Sequence, residues 1–196
     1  MTSREKILSA IRAQQAPAAE PPSLNQAWIS YPDRFAQFAS VVEAVGGSCW
    51  KVSGLDALNL KLAELPAYRE AKERISLVSG AGESNVDLQT IADPHQLETI
   101  DFAILPGQFG VAENGAIWVT DEGLKHRALF FITQHLSLVI SAAQIVDNLH
   151  QAYDRLSLGG SQFGAFISGP SKTADIEQSL VIGAHGPRSL TVFCVT

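Results

Sequence analysis

The sequence predicts an α/β domain whose mostly parallel or mixed sheet is flanked by helices. Continuously apolar runs such as 102–105 (Phe-Ala-Ile-Leu) are typical of strands that are buried on both faces of a sheet. Between such runs, apolar residues recur at helical spacing, as over 33–45, which predicts helices that cover the sheet. With 196 residues, 46% of them hydrophobic, the chain is long enough for one sizeable core.

Residues 1–32 are expected to form an arm that precedes a domain at 33–196. Apolar residues recur at helical spacing over 2–14, which predicts a short amphipathic helix. Prolines from Pro17 onward end this helix, and the Pro/Ala-rich stretch that follows is typical of a linker. The pattern leaves open whether the helix docks on its own domain or on a partner.

The elements of the domain follow from apolar periodicity and from the residues that bound each segment. Asp33 is a suitable N-cap for the first helix, a glycine pair at 46–47 ends it, and Pro66 interrupts the second. Helices are predicted at 33–45, 142–156 and 174–180, a helix or helical turns at 54–74, and strands at 48–52, 75–78, 102–105, 116–120, 128–133, 136–141, 165–168 and 190–195.

The net charge of −6 opposes binding to nucleic acid, because an acidic surface is repelled by phosphates. The sequence has no run of about 18 uninterrupted apolar residues, so no membrane span is predicted. Charged residues are interspersed among the apolar positions of residues 1–15, which therefore lack the continuous apolar run of a secretory signal, and we expect a cytoplasmic protein.

Cys49 and Cys194 are the two cysteines of the chain, and both lie in apolar, strand-like runs. They are expected to be buried thiols, with a disulfide between them left open. Neither belongs to a metal-binding or redox motif, and an iron–sulfur cluster typically needs four clustered thiolates. We therefore expect no metal site and no cofactor in this chain.

The first candidate site is the segment 110–115 (Gly-Val-Ala-Glu-Asn-Gly), which lies between two predicted strands. Asn114 and Gly115 form the preferred dipeptide of a two-residue hairpin, in which Glu113 is a solvated neighbour. As a functional site, Glu113 acts as nucleophile or general base, because a carboxylate can attack an acyl carbonyl or remove a proton next to one. Gly110 and Gly115 then let a substrate approach the backbone. Both interpretations are open.

The second candidate site starts at the end of a predicted strand and opens a predicted helix. Its polar residues are Ser171, Lys172, Thr173, Asp175 and Glu177. One interpretation is a well-capped turn with Ser171 or Thr173 as the N-cap. The other is a polar pocket, in which Lys172 and the two carboxylates face a small ligand or a partner surface.

The third candidate is the turn at 183–188, which carries His185 and Arg188 before the last predicted strand. Histidine can change its charge near neutral pH, and arginine can bind a carboxylate. A purely structural Gly-Pro turn is the alternative. The functional interpretation requires that the candidate loops meet at one end of the sheet and line a common hollow.

Two stretches together resemble the LUD-domain family, specifically its lactate utilisation protein C branch. They are 110–115 and 169–187 (Gly-Pro-Ser-Lys-Thr-Ala-Asp-Ile-Glu-Gln-Ser-Leu-Val-Ile-Gly-Ala-His-Gly-Pro), and the resemblance extends over 35–196. It implies a fold similar to the NagB/RpiA/CoA-transferase group, an α/β domain with a mostly parallel sheet. It also implies a place in cytoplasmic lactate metabolism.

The resemblance implies an accessory component that helps to oxidise L-lactate to pyruvate together with iron–sulfur subunits. The iron–sulfur clusters are then expected in those partner subunits, while this chain binds a partner, a small carboxylate or a CoA-type ligand. CoA-transferases of a related fold use a glutamate in a turn similar to the one around Glu113. This likeness implies an alternative, a CoA-transferase-like or isomerase-like enzyme with Glu113 as nucleophile or base. A structural or regulatory module is a third class.

Overall fold

A computed structural model of the chain describes residues 2–14, 19–156, 160–173 and 181–196. Helices and strands alternate along much of its length. The helices are α1 (Ser3–Ala13), α2 (Arg34–Ala44), α3 (Leu55–Glu64), α4 (Pro66–Glu70), α5 (Leu129–Ile132) and α6 (Leu149–Arg155), with short 3-10 helices at Pro94–Thr99 and Ala142–Gln144. The strands are β1 (Ser48–Val52), β2 (Arg74–Ser76), β3 (Phe102–Pro106), β4 (Phe109–Val111), β5 (Ala116–Thr120), β6 (His135–Ser141), β7 (Ile145–Val146), β8 (Gly164–Ile167) and β9 (Ser189–Val195).

The strands of the described residues form a parallel sheet and a mixed sheet. The parallel sheet has the order β1, β9, β6, β3, β2, and each neighbouring pair in it is parallel. The mixed sheet has the order β7, β4, β5, β8, in which β5 runs antiparallel to both of its neighbours. The predicted α/β class, with parallel and mixed sheets flanked by helices, is confirmed.

Strand β3 shows why its sequence is continuously apolar. Phe102 and Ile104 pack in a cluster with the buried leucines of α3, whereas Ala103 and Leu105 pack in a second cluster with residues of α2. Because successive side chains of a strand point to opposite faces, both faces of β3 are covered. The burial on two faces that we predicted from the sequence is therefore present.

Gly107 allows the chain to pass from the parallel sheet into the mixed sheet. It lies between β3 and β4, where its backbone N–H donates to the carbonyl of Val139 at 2.9 Å. A Cβ added there would lie 2.6 Å from Cγ2 of Ile117 and 2.7 Å from Cγ2 of Ile140. Any larger residue would push these two buried side chains apart.

The helices α1 and α2 begin where the sequence predicts them. The side chain of Asp33 accepts a hydrogen bond from the backbone N–H of Ala36 at 2.9 Å and caps α2. Thr2 and Glu5 form a reciprocal capping box at the start of α1. No residue of α1 is buried, so its apolar face is unpartnered among the described residues.

The prediction of a strand over 128–133 is wrong, because this segment contains the helix α5. The carbonyl of Ala128 accepts hydrogen bonds from the backbone N–H groups of Phe131 and Ile132, at 2.8 and 2.9 Å. A short apolar run has the same composition in a buried helix as in a buried strand, so periodicity does not separate the two.

The prediction of a continuous helix over 142–156 is also wrong. The segment starts as a 3-10 turn, continues as β7, and becomes helical at α6. Asn148 caps α6, since its side chain accepts from the backbone N–H of Gln151 at 3.0 Å. Pairing of β7 with β4 overrides the local helical pattern. The helix predicted at 174–180 lies outside the described residues.

Every helix in the described ranges is too short or too polar to cross a lipid bilayer.

Candidate functional site

A small pocket is lined by residues of the second and third sequence candidates. Its volume is about 230 Å³, and its lining combines apolar side chains with the polar side chains of Ser171, Lys172 and His185. We call it the Lys172 pocket. Its lining residues are Phe130, Phe131, Leu136, Ile167, Gly169, Pro170, Ser171, Lys172, His185, Gly186, Pro187 and Leu190.

The Lys172 pocket lies at the amino end of the parallel sheet. Leu136 of β6 and Leu190 of β9 are buried, pair in register, and follow directly after the first residues of their strands. Open α/β sheets usually bind ligands in a crevice at the carboxyl ends of their strands. The Lys172 pocket is instead built from the loops that lead into β6 and β9.

Backbone hydrogen bonds hold the rim of the pocket together. The N–H of Ser171 donates to the carbonyl of Pro187, and the N–H of Gly183 donates to the carbonyl of Ser171, each at 2.8 Å. Gly186 fits closely between two walls, because a Cβ there would lie 3.0 Å from the carbonyl oxygen of Phe131 and from Cβ of Ser171. The glycine at this position therefore keeps the loop in contact with Ser171.

Lys172 places a positive charge at the rim. Its side chain is exposed, and a Cβ added to Gly169 would lie 3.1 Å from the Lys172 ammonium. Within the described ranges, neither this ammonium nor the Ser171 hydroxyl has a hydrogen-bond or ion-pair partner. An unpaired ammonium beside an apolar hollow is suited to a small ligand that carries a carboxylate.

Glu113 lies in a longer turn than the two-residue hairpin that the dipeptide favours. Val111 of β4 pairs with Ala116 of β5, so residues 112–115 form a four-residue connection. Its turn is closed by the N–H of Gly115, which donates to the carbonyl of Val111 at 2.9 Å. Gly115 has a φ of 65°, a left-handed conformation that glycine adopts without strain.

The carboxylate of Glu113 is directed at helix α6. Its Oε2 accepts a hydrogen bond of 2.9 Å from the backbone N–H of Leu149, the first residue of that helix. The backbone N–H of Glu113 also donates to the carbonyl of Asp147 at 3.0 Å. The exposed carboxylate thus accepts a hydrogen bond from an N–H that has no partner within the helix. Its negative charge also interacts favourably with the positive end of the helix dipole.

The loops of the first and second candidates touch, but they do not share the described pocket. The hydroxyl of Ser168 donates to the carbonyl of Asn114 at 2.9 Å and joins the two loops. Glu113 is not among the residues that line the Lys172 pocket. The structure therefore places the Glu113 carboxylate beside α6 and the Lys172 ammonium beside Gly169.

Other predicted site residues have packing or backbone contacts in the described structure. A Cβ on Gly110 would lie 2.9 Å from the ring of Phe38, and one on Gly115 would lie 3.0 Å from the backbone of Val42. The hydroxyl of Thr173 donates to the carbonyl of Val181 at 3.1 Å. Arg188 packs against Gly183 and does not line the Lys172 pocket. Asp175 and Glu177 lie outside the described residues.

Sequence reasoning missed a buried polar centre at the start of α6. Asp147 is 1% exposed and accepts hydrogen bonds from the Tyr31 backbone N–H at 2.9 Å and from Nε of Arg34 at 3.0 Å. Asn148 donates from its side chain to the carbonyl of Ile29 at 2.7 Å. These contacts attach the segment before α2 to α6. The Asp-Asn pair before an apolar residue is an N-cap signal that the predicted long helix obscured.

The charge of Asp147 is stabilised by these contacts. Burial by itself raises the pKa of the carboxyl, but the hydrogen bonds from Tyr31 and Arg34 outweigh it and hold the pKa below its ordinary value. Asp147 is therefore an anion that is anchored between the mixed sheet and the segment preceding α2.

The two cysteines lie on neighbouring strands, with their sulfur atoms 3.8 Å apart. Both are buried free thiols, as we expected from the sequence. The hydrogen bond with Cys49 and burial raise the pKa of Cys194 far above its ordinary value. In the part of the chain that the structure describes, no group of three or more His, Cys, Asp or Glu side chains is placed to hold a metal ion.

The chain belongs to the LUD domain family, whose family model matches residues 4–195. The family predicted from the two motifs is thereby confirmed. The fold is shared with a crystal structure of a DUF162 family protein from Deinococcus radiodurans, with a TM-score of 0.67 and 20% identity. That match covers 86% of this chain and 99% of the other.

Relatives are found at moderate identity. An uncharacterized protein of Neisseria meningitidis serogroup B is 25% identical over 226 residues, covering 100% of this chain and 94% of that protein. Lactate utilization protein C 1 of Bacillus mycoides is 34% identical over 93 residues, which are 44% of this chain and 40% of that protein. Lactate utilization protein C of Bacillus pumilus is 34% identical over 96 residues, or 46% of this chain and 40% of that protein. The matches to these two lactate utilization proteins thus span well under half of their length.

Proposed function

We propose that this chain is a binding component of L-lactate utilisation, and that the Lys172 pocket binds a small carboxylate such as L-lactate or pyruvate. Membership of the LUD domain family and the names of the two Bacillus relatives support the metabolic role. Among the described residues the Lys172 ammonium has no hydrogen-bond or ion-pair partner, and its place beside a pocket of about 230 Å³ carries the assignment of the site.

The chemistry of lactate matches the pocket. Its carboxylate pairs with the Lys172 ammonium in a charge-assisted hydrogen bond, and its methyl group packs against the apolar interior. The Ser171 hydroxyl and the His185 ring, both at the pocket, are partners for the 2-hydroxyl or 2-keto oxygen. A three-carbon acid is small enough for this volume, whereas a complete CoA molecule is too large for it.

We assign the redox step to partner subunits. Oxidation of L-lactate to pyruvate removes two electrons and two protons, and the electrons require an acceptor. The sequence resemblance implies iron–sulfur subunits in this role. This chain then holds or presents the acid, and the isolated chain is expected to bind lactate without turning it over.

Isothermal titration calorimetry with L-lactate and with pyruvate tests the binding proposal. Lys172→Met keeps the apolar stem and removes the charge, so we expect it to weaken binding roughly tenfold or more. Lys6→Met, on the exposed helix α1, is the matched control and is expected to bind as the wild type does. No heat of binding in the wild type, or equal affinities in all three proteins, would contradict the proposal.

A trapping experiment distinguishes this function from the CoA-transferase-like or isomerase-like alternative. That alternative requires the Glu113 carboxylate to leave its hydrogen bond with the Leu149 N–H. After incubation with acyl-CoA and hydroxylamine, peptide mass analysis is expected to find Glu113 unmodified. Modification of Glu113, together with loss of the adduct in Glu113→Ala, would establish the alternative instead.

The proposed place in metabolism has its own test. Deletion of the gene from its native organism is expected to slow growth on L-lactate and to leave growth on pyruvate unchanged. Iron–sulfur proteins are expected to co-purify with the tagged chain from cells grown on lactate. Normal growth on lactate would refute the metabolic role, and purification without iron–sulfur proteins would refute the proposed partners.

A further inference from the structure

A second pocket lies between α3, α4 and the segment 80–83, and it shares no residue with the Lys172 pocket. Its volume is about 610 Å³, within the usual range of about 300 to 1,000 Å³ for small-molecule sites. Arg69 and Arg74 line it, and Glu83 is the acidic side chain among its lining residues. We call it the Arg69–Arg74 pocket.

The two guanidinium groups have no ion-pair partner among the described residues. Across the described ranges, neither has a hydrogen-bond acceptor or a carboxylate within ion-pair distance. The Nε atom of Arg74 is buried and has no hydrogen-bond partner. A buried donor of this kind lowers the stability of a protein unless a ligand or water accepts its hydrogen bond.

Side-chain contacts restrain Arg74 and the loop of the pocket. The guanidinium of Arg74 lies 5.1 Å from the centre of the Tyr68 ring, in a cation–π contact that restricts its position. The Asn59 side chain donates to the carbonyl of Gly80 at 2.9 Å and accepts from the N–H of Gly82 at 2.8 Å. These contacts hold Arg74 and the loop in place before any ligand arrives, which reduces the entropy that binding must overcome.

Tyr68 provides a further donor. Its hydroxyl oxygen accepts a hydrogen bond from the backbone N–H of Glu83 at 2.9 Å, while the hydroxyl proton has no acceptor among the described residues. Two guanidinium forks and a phenol proton present several donors around one hollow, and donors of this type match the oxygen atoms of a phosphate.

We infer that the Arg69–Arg74 pocket binds the phosphate group of a small organic phosphate. Two cations suit a dianionic phosphate, and the volume accommodates a phosphate ester larger than the three-carbon acid proposed for the Lys172 pocket. Glu83 also lines the pocket and opposes an anionic ligand, but the two guanidinium charges exceed its single negative charge. The site is independent of the proposed lactate function.

Calorimetric titration of the full chain at constant ionic strength tests this site, with inorganic phosphate and glycerol 3-phosphate as probes. Arg69→Gln and Arg74→Gln are each expected to weaken phosphate binding by roughly tenfold or more. Arg74→Lys is expected to bind less tightly than the wild type, since lysine keeps the charge but loses the planar fork. Arg12→Gln, on α1, is the control that should leave the affinity unchanged.

The outcomes separate binding from folding. In the absence of phosphate, we expect the variants to have the circular dichroism spectrum of the wild type. Arg69 is exposed, so Arg69→Gln should fold and still tests the site even where Arg74→Gln does not fold. Affinity that is unchanged in Arg69→Gln, or absent in the wild type at millimolar phosphate, would overturn the inference. Lys172→Met is expected to bind phosphate as the wild type does. Loss of lactate binding and loss of phosphate binding therefore test the two pockets separately.

Discussion

Removal of the Asp147 carboxylate is expected to destabilise the fold. The Asp147 side chain is 2% exposed, whereas that of its partner Arg34 is 53% exposed. In Asp147→Ala, the part-buried N–H of Tyr31 loses its acceptor, which costs about 1–3 kcal/mol. The Arg34 guanidinium can turn to water, so its lost ion pair adds at most about 1 kcal/mol. The free energy of unfolding should fall by about 1–4 kcal/mol, which corresponds to a melting temperature lower by roughly 2–16 °C.

Urea unfolding, followed by tryptophan fluorescence, measures this change. Glu122→Gln alters an exposed carboxylate and is the matched control, expected to change the free energy of unfolding by less than about 0.5 kcal/mol. Arg34→Gln is expected to have a smaller effect than Asp147→Ala, because it leaves the acceptor of the Tyr31 N–H in place. An Asp147→Ala midpoint equal to that of the control would refute the reasoning.

The pH dependence provides an independent check. The pKa of Asp147 is lower in the folded protein than in the unfolded chain, where an aspartate has a pKa near 3.9. The folded state therefore gains stability above that unfolded pKa and loses it as the pH falls through the lower folded pKa. The difference between wild type and Asp147→Asn should be full at pH 7 and should shrink at pH values below about 4. A difference that stays constant down to pH 2 would show that the charge of Asp147 has no part in stability.

Two further predictions concern the core. Gly107→Ala should lower the free energy of unfolding by about 1–3 kcal/mol, because its Cβ would overlap Ile117 and Ile140. Gly160→Ala is the control and should change the urea midpoint little, since no atom of the described residues lies within 4 Å of the added Cβ. Equal midpoints of the two variants would contradict the packing argument. Cys49 and Cys194 should react with Ellman's reagent only after denaturation, since both are buried and the pKa of Cys194 is raised. Rapid labelling of the native protein would contradict this prediction.

Local sequence patterns predicted those elements whose formation depends on near neighbours. Asp33 caps α2 through a residue three positions away, and the apolar residues of β3 alternate between two core clusters. The same reasoning failed at 128–133 and at 145–146. The first segment is helical although its composition fits a strand, and the second pairs with β4, which lies more than 30 residues earlier in the chain.

The candidate site was predicted in part. The sequence indicated Ser171, Lys172 and His185 as polar residues in neighbouring loops, and these three line one pocket. It did not indicate that the Glu113 carboxylate turns to the N–H of Leu149, because that contact depends on where α6 begins. The Arg69–Arg74 pocket has no local motif either.

The sequence by itself determined the α/β class, the family and the polar composition of the loops, because periodicity, capping residues and motifs are properties of short segments. Only the tertiary structure decided which loops share a pocket and which charges are left unpaired. Asp147 and Arg34 are separated by 113 positions, yet they form an ion pair of 3.0 Å. Such pairs arise from the packing of strands and helices, which depends on the whole chain and not on the neighbours of either residue.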